Sequence, residues 1–158
     1  MKSSAIPLRY GVILGVVLIA YFLIFSLFGL HTYVWFSLLN AVFTSAAIFW
    51  TTKDFKAHKR NFKYQKGFMA GLKTGFYGTV IFTAFFAIYA SNINPNFIDK
   101  LLMRYDVNYD SELALVIFTV GTMGAVTTFI ATLVCMQLFK DSWNTTKPRE
   151  HKMFGKNA

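Results

Sequence analysis

Ionisable side chains are what this chain has least of. Only 15% of its 158 residues are charged, where a soluble domain carries roughly a quarter. The shortage is local: residues 10–30, 32–52, 76–97 and 113–139 contain no Asp, Glu, Lys or Arg. Such runs cannot supply the polar face that a soluble helix keeps toward water. Acids are scarcest, seven against sixteen Lys and Arg. All seven lie outside these runs, with Glu112 at the rim of the last. Membrane enzymes and proton-coupled carriers need acids or histidines at depth, and here the runs offer none. The single cysteine, Cys135, excludes an internal disulfide and any CxxC site; within an apolar run it reads as a small hydrophobe. His31, His58 and His151 are scattered without metal-ligand spacing, and no HExxH, GxSxG, P-loop or GxGxxG signature occurs. No enzymatic activity, metal or cofactor is expected.

What the chain does have is hydrophobicity. It is 55% hydrophobic and 18% aromatic, with positive mean hydropathy. A charge-free apolar run of about 18 residues or more reads as a transmembrane helix. Four such runs leave little over in a chain of one-domain length. "VILGVVLIAYFLIFSLF" and "TVIFTAFFAIYA" are apolar on every side, which speaks against a soluble bundle. The expected fold is therefore all-α: an integral membrane four-helix bundle forming a single membrane domain. Its spans fall at about residues 10–28, 33–50, 67–91 and 112–139, with a connection at 51–66, a second loop at 92–111 and a tail at 140–158. The first span exceeds the apolar length of a signal peptide and is followed by no A-x-A-like site, so it reads as a retained anchor. Gly29 suits the cap of that span in the tight turn "GLHT". The second span, interrupted by Ser37, Asn40, Thr44 and Ser45, is the least hydrophobic and should face other helices more than lipid.

Charge sets the orientation. The amino end, the 51–66 connection and the tail together hold thirteen Lys and Arg, whereas the 92–111 loop holds two, beside Asp99, Asp106 and Asp110. Positive flanks stay on the cytoplasmic side, so both termini and the basic connection are expected inside a cell inner membrane. An odd number of spans would split the basic segments between two faces. In "TTKDFKAHKRNFKYQK", aromatic residues stand among lysines, yet beside two spans such a cluster contacts anionic lipid rather than nucleic acid. The expected surroundings are thus the lipid bilayer, with anionic lipids at the basic loop and no nucleic-acid partner. "NTT" at Asn144 matches a glycosylation sequon but falls on the cytoplasmic side.

The stretch "GFMAGLKTGFYG" places Gly67, Gly71, Gly75 and Gly78 at the start of the third span, with Lys73 among them. In lipid, helices associate through close backbone approach, which favours small residues at crossing points. The four glycines share one stripe; Gly11 and Gly15 make a matching pair in the first span, and Gly121, Ala125, Thr128 and Thr132 a small-residue stripe in the fourth. These are candidate helix-packing positions, either within the bundle or, alternatively, in a homodimer through the Gly67–Gly75 face. Lys73 points away from the stripe and lies near the basic end, where its stem can snorkel to the headgroups. With Asn40, which stands between Ser37 and Thr44 at helical spacing, it is the candidate for lining a transport path; an interhelical hydrogen bond is the plainer role for Asn40.

In the second loop, "NPNFIDKLLMRY" offers Asn94 as a cap and Pro95 at a first helical position, with Phe97, Ile98, Leu101, Leu102 and Tyr105 on one face. A short amphipathic helix on the outer leaflet is expected there. Asp110 and Ser111 then precede Glu112, an acid favourable at the start of the fourth span. The order of a GxxxG-bearing first span, tight turn, second span, basic connection and "GFMAGLKTGFYGTVIFTAFFAIYASNINPNFIDKLL" resembles an uncharacterised, domain-of-unknown-function family. Its members are small four-helix inner-membrane proteins of Gram-negative bacteria. The likeness covers nearly the whole chain; it implies a fold and a location, and no catalytic residues. The functional expectation is a structural or accessory membrane component, with a possible homo-oligomer or membrane-protein partner; the alternative is a small oligomeric transporter or channel.

Overall fold

A computed structural model describes residues 5–28, 34–58, 64–93 and 112–139. They form four helices: α1 (Ile6–Leu27), α2 (Val34–His58), α3 (Tyr64–Ile88), which runs into a π-helical turn (Tyr89–Ile93), and α4 (Glu112–Leu138). No strand occurs among the described residues. The fold is the all-α bundle that the charge-free runs imply. The expected amphipathic helix after Asn94, the turn at Gly29 and the tail beyond residue 139 lie outside the described residues.

Local chemistry accounts for the ends of the helices. Pro7 stands in the first turn of α1, where a missing N–H leaves no bond unmade. The Arg9 amide donates to the Ala5 carbonyl at 3.0 Å. Three boundaries differ from the hydropathy reading, the first being that α1 already begins at Ile6, ahead of Tyr10. α2 continues two turns past Trp50, through Lys53, Asp54 and Lys56 to His58, and α3 starts at Tyr64, ahead of Gly67. Much of the 51–66 connection is therefore helix. Hydropathy marks where a segment leaves lipid, whereas hydrogen bonding propagates through lysine and alanine, which are good helix formers.

Ile6–Leu27, Tyr64–Asn92 and Leu113–Leu138 are each long and apolar enough to cross a membrane, which marks a membrane protein. At 25 residues α2 is long enough too, but its Ser, Asn and Thr positions and its charged final turns make it less apolar. It is the helix expected to be the least hydrophobic.

Neighbouring contacts fix the directions. Tyr10 meets Asp54 and Tyr21 meets Phe43, so α1 and α2 run antiparallel. Gly11 faces Tyr77 and Gly15 faces Ile81, so α1 and α3 are parallel. Gly71 faces Thr132 and Gly124 faces Thr79, so α3 and α4 are antiparallel. The result is an up-down-up-down bundle. It is not square: α2 and α3 each pack against all the other helices, while α1 and α4 stand at the far corners. Leu8, Val12, Ile13, Val16 and Ile24 of α1, and Phe118, Val126, Ile130 and Val134 of α4, face outward. In water that display would favour aggregation; in hydrocarbon it is the natural surface.

The interior is graded along its length. Toward the carboxyl end of α1 it is aromatic: Phe22 packs edge-on against Phe82, Phe85, Phe86 and Tyr89, with ring centroids 5.0 to 6.4 Å apart. Ser26 and Tyr89 join their hydroxyls at 2.6 Å, tying α1 to the π-helical turn. Toward the amino ends of α1 and α3 the filling changes to glycine and threonine.

Candidate functional site

The buried stripe of α3 reads Gly67, Ala70, Gly71, Thr74, Gly75 and Gly78. It serves two seams. On the α1 side the glycines and larger residues interlock: a Cβ on Gly11 would lie 2.6 Å from that of Tyr77, one on Gly15 2.7 Å from Ile81 Cγ2, and one on Gly78 2.6 Å from Leu14 Cδ2. Real Cβ atoms do not come that close, so the two backbones sit nearer than any alanine would allow.

On the α4 side four rungs pair a glycine with a threonine. Gly71 receives Thr132, Gly75 receives Thr128, Thr79 projects onto Gly124 and Thr83 onto Gly121. The two residue types exchange helices halfway along the seam. This corrects the expected stripe of α4. Ala125 is exposed, and its neighbour Gly124 occupies the seam instead. The reason is angular: about 100° separates consecutive residues, and the rung opposite Thr79 needs the position one residue earlier.

Thr44, Thr51, Thr52, Thr74, Thr128 and Thr132 are the buried polar residues among those described. Threonine suits an apolar interior because its hydroxyl can bond the carbonyl four residues back on its own helix. Thr44 donates to Asn40 O, Thr51 to Ala47 O, Thr52 to Ile48 O and Thr132 to Thr128 O, all at 2.7 to 2.9 Å. Thr74 also reaches across. Its hydroxyl lies 3.0 Å from Ala70 O, 3.1 Å from Thr51 Oγ1 and 3.3 Å from Pro7 O, so three helices meet at one oxygen. Nearby, the Tyr10 hydroxyl donates to Asp54 Oδ2 at 2.5 Å.

Three buried polar atoms have no hydrogen-bond partner among the described residues: Asn40 Oδ1, Thr83 Oγ1 and Thr128 Oγ1. The two hydroxyls belong to the glycine rungs. A Cβ on Gly75 would stand 2.4 Å from Thr128 Oγ1, so only glycine leaves room for that hydroxyl. Likewise, Thr79 Oγ1 lies 2.9 Å from where a Gly124 Cβ would stand.

The two transport candidates are not brought together. Lys73 is exposed on the outer face of α3, while Asn40 is half-buried on α2 with its carbonyl oxygen turned inside. The Gly67–Gly75 face lies against α4 and α2 of the same chain at Gly71 and Gly75. Cys135 is buried beside Ile48 and Ala131, its thiol 3.6 Å from Ser45 O. Sequence reasoning missed Thr79, Thr83 and the Tyr10–Asp54 bond. For the first two a signal was present: Gly71, Gly75, Thr79 and Thr83 recur at a constant interval of four.

No curated protein and no solved structure matches this chain. Its family is defined. Residues 9–140, a stretch that contains the seams, Thr51 and Thr74 and the Tyr10–Asp54 bond, match the family described as Protein of unknown function (DUF4199), and the chain belongs to that family.

Proposed function

We propose that this protein is a non-enzymatic component of a bacterial inner membrane, structural or accessory to a larger membrane assembly. Both termini and the basic connection face the cytoplasm in this reading. The observation that carries it is the filling of the bundle. Backbone-close glycine seams and threonines, most of them bonded to their own helix, occupy the interior, and the buried polar residues among those described are threonines. Such an interior favours a rigid four-helix body over one that opens to pass or transform a substrate. The thirteen-to-two distribution of basic residues supports the orientation. Cross-linking in native membranes followed by detergent extraction tests the accessory role. Capture of a defined neighbour supports it; a lone monomer with no cross-linked partner contradicts it.

A second reading, a small oligomeric transporter or channel, draws on Asn40 Oδ1, a buried acceptor without a donor among the described residues. Because Lys73 faces outward, it would line a path only between copies of the chain. Reconstituted flux that is abolished by Lys73→Ala or Asn40→Leu favours this reading, and flux that survives both removes these residues from the path.

A further inference from the structure

We propose that the outer face of α3 is an anionic-phospholipid site in which Lys66 and Lys73 converge on one headgroup phosphate. The inference requires that the chain sits in a bilayer, and it is independent of the accessory role above. On α3, Lys66, Met69, Lys73, Phe76 and Val80 are all exposed. Their spacing of three and four puts them on one stripe, opposite the buried glycines. The stripe therefore begins with two cations and continues as an apolar track, matching a lipid headgroup and the acyl chain beneath it.

Geometry brings the two charges together. Lys66 and Lys73 stand two turns apart, roughly 10 Å along the axis at 1.5 Å per residue. Side chains on a helix lean toward its amino end, and the amino end of α3 is where Lys66 lies. Lys66 shares that lean, so convergence comes from snorkelling, which draws the more deeply placed Lys73 ammonium out of the hydrocarbon toward Lys66 at the helix end. No hydrogen bond or ion pair joins Lys73 to another described residue. An unpaired ammonium on a span is costly, so the pairing anion has to come from the surroundings.

The helix end adds to the attraction. The first turn of α3 contains no acid, so its positive dipole end is not neutralised by a side chain of that turn. Lysine is a point-charge partner for phosphate and needs no fixed fork geometry, which suits a mobile headgroup. A zwitterionic headgroup offers the same phosphate together with its own cation, which the lysines repel. The site therefore selects lipids of net negative charge.

The test is native mass spectrometry of the full chain released from detergent after equilibration with equal amounts of phosphatidylglycerol and phosphatidylcholine. Wild type is expected to retain several-fold more phosphatidylglycerol. Lys73→Gln and Lys66→Gln should each reduce that excess, the double variant should abolish it, and Lys73→Arg should keep it. Lys53→Gln, which removes an exposed lysine from α2, should leave it unchanged. Circular dichroism confirms that each variant retains wild-type helicity before it is compared. Equal retention of the two lipids by wild type, an excess that persists in the double variant, or an equal loss in Lys53→Gln overturns the site.

Discussion

Gly75 and Gly121 stand in the same seam and meet different amounts of space. A Cβ on Gly75 would overlap Thr128, whereas one on Gly121 would lie 3.7 Å from Thr83 Cγ2, an ordinary contact. In a helix interior alanine is favoured over glycine by about 1 kcal/mol, so the two substitutions should have opposite signs. Gly75→Ala is expected to lower stability by about 1–3 kcal/mol, the usual cost of overpacking. Gly121→Ala is expected to be neutral or mildly stabilising. Thermal unfolding in detergent, followed by circular dichroism, reads both, and equal responses would show that propensity rather than close approach governs the seam. At the amino end of α1, Tyr10→Phe removes the hydroxyl donated to Asp54. Loss of a hydrogen bond to a charged acceptor costs up to about 3 kcal/mol when buried. Because Asp54 is only half-buried, water or headgroups can replace the lost donor, and about 1 kcal/mol is expected. Asp54→Asn, which keeps an acceptor for the Tyr10 hydroxyl, should cost less. The same unfolding measurement separates the two, and a larger loss in Asp54→Asn would remove the bond from the account.

The exchange of glycine and threonine halfway along the α3–α4 seam gives the pair a register. If α4 slid one turn in one direction, Thr79 would meet Thr128 and the threonines would collide. Sliding one turn the other way brings Gly75 to Gly124, leaving two glycines facing a void. Neither alternative packs as well as the observed rungs. A double-mutant cycle tests this. Gly124→Thr alone should be strongly destabilising, and Thr79→Gly alone should leave a cavity. Combined, they restore one glycine and one threonine to the rung and should recover most of the stability. Additive losses in the pair would show that these residues do not share a rung.

The same elements show what could be read from the chain before its fold was known. The four helices were legible because charge is excluded from whole runs, a signal that needs no knowledge of contacts. Their ends were not, because α2 stays helical through Lys53, Asp54 and Lys56 after hydropathy has fallen. The glycine stripe was visible as a spacing of four, but spacing does not say which helix covers it. Ala125 and Gly124 are both small and adjacent, so only the rotation of α4 against α3 could choose between them. The Tyr10–Asp54 bond joins positions 44 residues apart, and no local pattern announces such a pairing.

For the whole molecule, the apolar exterior, the close-packed interior and the placement of basic residues form one consistent arrangement. Outward-facing Val, Ile, Leu and Phe of α1 and α4 need hydrocarbon around them. Without hydrophobic gain between helices in lipid, the bundle has to be held by backbone approach and hydrogen bonds; the seams provide the first, and Thr74, Tyr10 and Ser26 bond across helices. In the proposed topology, four crossings return the chain to the side on which it began, which would put the amino end, the connection and the tail on one face. Labelling of single cysteines in intact and permeabilised cells, in a Cys135→Ala background, tests this most directly. Lys59→Cys is predicted to react with an impermeant maleimide only after permeabilisation, and Asp106→Cys in intact cells. Labelling of both positions from the same side would contradict the four-crossing bundle.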